Sequence, residues 1–128
     1  MTPEVADYLR MARAHLVKAR NFLDVLHYGD EASRAAYLAG LNAAQALIFT
    51  RDGRATRTHR GLRASFARLA RDEPSIDPEF VGFLGRAYRF KEITDYGMDS
   101  EAVVTEADAR EMIDIAARFI DRIAEILA

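Results

Sequence analysis

Apolar positions recur along this chain at intervals of three, four and seven, the period of a helix with one buried face. Val5, Tyr8, Leu9, Leu16, Phe22, Leu23 and Leu26 form the first stripe. Thr2 followed by Pro3 supplies its start, an N-cap with proline at the first helical position, and Gly29 with Asp30 is expected to break it. A second helix is expected from about Glu31 to Thr50, with Tyr37, Leu38, Leu41, Leu47 and Ile48 on its apolar face and Asp52–Gly53 ending it. Its small residues, Ala35, Ala36, Ala39, Gly40, Ala43 and Ala44, let another helix come close.

Thr58 reads as the N-cap of a third, shorter helix that points Leu62, Phe66 and Leu69 inward and is closed by Pro74. Asp77–Pro78–Glu79 combines a cap, a proline and a first-turn acid. It opens a fourth helix carrying Phe80, Phe83, Leu84, Ala87, Tyr88 and Ile93 until Gly97 stops it. Thr105 with Asp108 resembles a capping box and opens a fifth, striped by Met112, Ile113, Ala116, Phe119, Ile120, Ile123 and Leu127. Nothing reads as a strand. The expected architecture is all-α, an up-and-down bundle of four to five helices with short connections, in a single domain over residues 1–128.

A chain of 128 residues can bury one core without staples. It contains no Cys, which excludes disulfides, a thiol nucleophile and Cys-ligated zinc, and is compatible with the expected cytoplasmic location. The N-terminal stretch is amphipathic and carries acids, unlike a signal peptide. No apolar run approaches the roughly 20 residues of a membrane span.

Charge adds what periodicity does not show. Residues 51–71 hold seven arginines against Asp52 alone, a local charge of +6, while residues 101–128 hold seven acids and three arginines, a local −4. Arg51, Arg54, Arg57, Arg60 and Arg63 recur every third residue through a loop into a helix start. One reading is a phosphate held by the free amides after Thr58 and by arginine forks. The other is a solvated face whose arginines pair with the acidic fifth helix. His59, in the first turn, is expected to be exposed.

Other chemistries find little support. His15, His27 and His59 lie on different segments with no ligand at helical spacing, so no metal site is expected. None of Ser33, Ser65, Ser75 and Ser100 sits in a nucleophile elbow, and there is no glycine-rich phosphate loop. The end of the fourth helix, RFKEITDYG, is denser in polar groups. Arg89 and Tyr96, seven apart, share a face with backbones about 10 Å apart, close enough for both side chains to close around a phosphodiester. Asp95 points elsewhere, and Lys91 with Asp95 forms an i,i+4 ion pair. The plainer reading is a core tyrosine, an exposed arginine and solvated charges.

Three stretches together resemble the HEPN domain family, over residues 5 to 125. AAYLAGLNAAQALIF is similar to its Tyr-x-x-x-(aromatic)-His-Ala-Ala helix, THRG to its Thr-His-x-Gly helix start, and KEITDYG to its Asp-Tyr helix end. The resemblance implies a helical bundle, a two-fold homodimer, no cofactor, and pairing with a small nucleotidyltransferase as in toxin–antitoxin systems. Active members are metal-independent ribonucleases whose motif is an arginine, four to six residues, then a histidine. The arginine holds the scissile phosphate and the histidine takes the ribose 2′-OH proton.

By resemblance Arg89 is that arginine. The matching positions for the histidine are Asp95 and Tyr96, and Asn42 stands where many relatives have the histidine of His-Ala-Ala. The first expectation is therefore a nucleotide- or RNA-binding protein with weak or absent nuclease activity. Arg89, Asp95 and Tyr96 occupy the catalytic position, and Asn42, Arg57, His59, Arg60 and Lys91 are the ligand- or RNA-binding candidates. The alternatives are a ribonuclease toxin and a non-catalytic interaction module.

Overall fold

Five helices form where the periodicity places them: α1 (Pro3–Asp24), α2 (Gly29–Asp52), α3 (His59–Arg71), α4 (Pro78–Tyr96) and α5 (Glu106–Leu127). The structure is a computed structural model describing residues 1–97 and 103–128, and no strand occurs among the described residues. Ser100 lies outside them. The cap residues act as expected. Thr2, Thr58 and Asp77 accept from the backbone N–H of Val5, Gly61 and Glu79, and Thr105 and Asp108 make both bonds of a capping box.

The first boundary differs from the expectation. Gly29 and Asp30 do not break a helix; they are the first turn of α2, and the reversal occupies residues 25–28. His27 takes the turn's positive φ of 56°. Leu26 therefore leaves the apolar stripe and is 49% exposed.

α2 is the central helix and touches each of the other four. Its small residues make this possible. A Cβ on Gly40 would lie 2.3 Å from Cε1 of Phe83, so α4 packs directly on the α2 backbone. Phe66 and Phe80 stack on Phe119 at 5.0 and 4.9 Å, joining α3 and α4 to α5. This packing fixes the first turn of α3 against the middle of α2 and the second half of α4. No helix among the described residues is long and apolar enough to cross a membrane.

Candidate functional site

The loop before α3 is pinned by Gln45. Its side-chain N–H donates to the Thr56 carbonyl and its carbonyl accepts from the Thr56 N–H, both at 3.1 Å. With Thr56 held and Thr58 capping, the helix begins at His59 facing inward. His59 is half-buried rather than exposed, because the turn that carries it packs on two other helices. Its ring lies 5.6 Å from Tyr37 of α2 and 4.9 Å from Tyr88 of α4, centroid to centroid. Arg63, one turn along α3, sets its guanidinium carbon 4.6 Å from the Tyr88 ring centroid, a cation–π contact.

The Tyr37 hydroxyl is 2.7 Å from His59 Nδ1. Tyr37 is fully buried, and burial raises its pKa far above that of a free phenol, so it stays protonated. When the phenol donates, Nε2 carries the imidazole proton and is a hydrogen-bond donor. When Nδ1–H donates, Nε2 is a base. Burial first, then Lys91 and Arg63, lowers the His59 pKa, with Glu92 and Asp95 opposing. A hydrogen bond to Glu92 raises the Tyr88 phenol. The group is an oriented imidazole among cations, carboxylates and aromatic faces. Such a set can bind an anion and move a proton.

Asp95 completes it. Oδ1 accepts from Arg34 Nε of α2 at 2.7 Å and Oδ2 from Lys91 Nζ at 2.5 Å. These hydrogen bonds, Lys91's the stronger, hold the carboxyl below its ordinary pKa against the opposing effect of burial. The Lys91–Asp95 pair is thus not an ordinary surface pair: a third charge from another helix joins it, and the Lys91 side chain is only 15% exposed.

Of the residues the sequence singles out, the structure gathers His59, Lys91 and Asp95. Asn42 lies apart, 5% exposed, with its amide donating to the Leu38 carbonyl one turn back. Arg57 and Arg60 are exposed beside the start of α3. Arg89 and Tyr96 are exposed on the outer face of α4, and Tyr96, at 69%, is no core tyrosine. Arg89 is not among the charges acting on His59. Sequence reasoning gave no site role to Arg34, Tyr37, Tyr88 and Glu92, and named Arg63 only as one of the arginine run. The i,i+4 spacing of Tyr88 and Glu92 was the one signal available.

The basic run does not pair with α5. Among the described residues, the α5 carboxylates of Glu106, Glu111 and Glu125 meet His27, Arg86 and Arg122. Arg68 pairs with Asp52 at 2.5 Å, the one ion pair that the arginines of residues 51–71 make among the described residues. Arg54, Arg57 and Arg68 line an open groove with Thr56, Gly61 and Ser65.

The sequence model of the HEPN domain family matches residues 5–127, nearly the whole chain. No curated protein matches it.

Proposed function

The chain belongs to the HEPN domain family, and from that premise we propose that it is a nucleotide- or RNA-binding HEPN protein with weak or absent nuclease activity. The observation that carries this reading is the open basic run. Arg51, Arg54, Arg57, Arg60 and Arg71 make no ion pair among the described residues although an acidic helix lies in the same small domain. Arg54, Arg57 and Arg60 flank the start of α3, and unneutralised arginines clustered there suit a polyanion. His59 and Lys91 lie next to them, with Tyr88 offering an aromatic face.

Weak catalysis follows from the two positions where the family's histidine is replaced. Asp95 is held as a carboxylate by two cations, which makes it a poor base at neutral pH. Tyr96 is exposed and has no hydrogen-bond partner among the described residues that would activate it. A ribonuclease reading keeps Arg89 on the phosphate with Asp95, Tyr96 or His59 moving the proton. Purified protein incubated with total RNA in EDTA separates the two readings. No cleavage is expected, whereas cleavage abolished by Arg89→Ala would establish the nuclease.

A two-fold dimer belongs to the same proposal. Gly82 and Gly85 lie inside α4, and a Cβ at either meets nothing within 4 Å. Glycine inside a helix costs about 1 kcal/mol relative to alanine, and packing within the chain gives no reason for it here. Both glycines share the outer face of α4 with Arg89 and Tyr96, by spacings of three, four and seven. A second copy approaching that face would bring two Arg89 side chains near one another. A small nucleotidyltransferase is the proposed partner of the assembly, by family resemblance.

A further inference from the structure

Asp95 sits in the last turn of α4, where the exposed carbonyls of a helix end disfavour a carboxylate. Two side chains keep it there. Arg34 and Lys91 come from different helices, and each takes one carboxylate oxygen. Two basic groups on two oxygens is also how basic side chains grip a phosphate. The surroundings favour an anion further. Lys91 and Arg63 both act on His59, with Glu92 the carboxylate that opposes them besides Asp95, and one guanidinium nitrogen of Arg63 is shielded from water without a hydrogen-bond partner among the described residues. Asp95 stands one residue before the end of the helix with its side chain 25% exposed, so it can swing outward into water without disturbing the core.

We infer that Arg34 and Lys91, with His59 at the edge, form a seat for a phosphate group of a nucleotide or RNA, and that Asp95 is the resident counter-ion which the phosphate displaces. The inference rests on the nucleotide- or RNA-binding reading and assigns that reading one specific phosphate contact. It gives Asp95 the role of a competitor for the seat rather than a base. A trio that only ties α2 to α4 would affect stability and leave ligand affinity alone.

Asp95→Asn separates these roles, because it removes the charge and keeps the shape. Affinity is measured by fluorescence anisotropy at low salt with two probes, labelled AMP and a short labelled oligouridylate. Glu111→Gln is the control of matched charge, since Glu111 pairs with Arg86 away from the cluster. Asp95→Asn is expected to tighten binding by about three- to five-fold, the scale of a partly exposed ion pair released, with Glu111→Gln nearly neutral. Adding Lys91→Gln or Arg34→Gln to Asp95→Asn should remove the gain, and either suffices if the other fails to fold. A gain with both probes assigns a terminal phosphate, and a gain with the oligonucleotide alone assigns a phosphodiester. If wild type binds but Asp95→Asn is no tighter than Glu111→Gln, or the gain survives both cation substitutions, the seat is overturned and the binding reading stands. If no protein binds either probe, both are overturned.

Discussion

The Tyr37 hydroxyl and His59 Nδ1 lie 2.7 Å apart, tying the middle of α2 to the first residue of α3. The bond fixes the imidazole ring, so that Nε2 is the nitrogen left for a ligand. Tyr37→Phe keeps the buried ring and deletes only this contact. It should lower the denaturant midpoint by the equivalent of about 1 kcal/mol with the m-value unchanged. An unchanged midpoint would mean that the contact contributes nothing.

His59 and His15 both titrate below the ordinary value of 6.5, each chiefly through burial with nearby cations adding to it. A histidine whose folded pKa is depressed binds its proton more readily when unfolded. Stability is therefore full above pH 6.5 and declines as pH falls through the folded pKa values. Thermal melts from pH 8 down should show this loss below neutrality, reduced in His59→Gln. A melt insensitive to pH across that window would contradict the depressed values.

Two glycines on facing and outward surfaces should respond in opposite directions. Gly40→Ala forces a methyl against Phe83, and overpacking of this kind costs about 1–3 kcal/mol. Gly85→Ala meets open space and should stabilise the dilute monomer by up to about 1 kcal/mol through helix propensity. Thermal denaturation of both variants, at a concentration below any self-association, checks the contrast.

The outer face of α4 is tested by Gly85→Arg. The exposed position should accept the side chain without loss of fold, and sedimentation equilibrium should show the wild type as the proposed dimer and the variant shifted to monomer. A dimer of unchanged strength would remove that face from the interface.

The helices and caps were legible because they are local: Thr58, Asp77 and Thr105 announce starts that the backbone then makes. The turn at residues 25–28 was not, since Gly29 looks like a breaker and the positive φ falls on His27. Much of the candidate site was hidden for a different reason. Tyr37 reads as an apolar-stripe residue, and its ring is indeed buried, but the partner of its hydroxyl is 22 residues away. Arg34 and Asp95 are 61 residues apart. Periodicity assigns a residue to a face of its own helix, and only the register between helices decides which faces meet. The pairing of the arginine run was open for the same reason, until the carboxylates of α5 were found on other partners.

The central claim is that the unpaired arginines bind a nucleic-acid backbone, and the salt dependence of single-stranded RNA binding tests it most directly. For single strands log Kobs falls with log salt by about 0.7 per phosphate neutralised. The wild type should show a measurable negative slope, and Arg54→Gln/Arg57→Gln/Arg60→Gln should reduce it by about two while leaving the fold intact. Absence of binding at low ionic strength, or a slope the triple variant does not change, would contradict it.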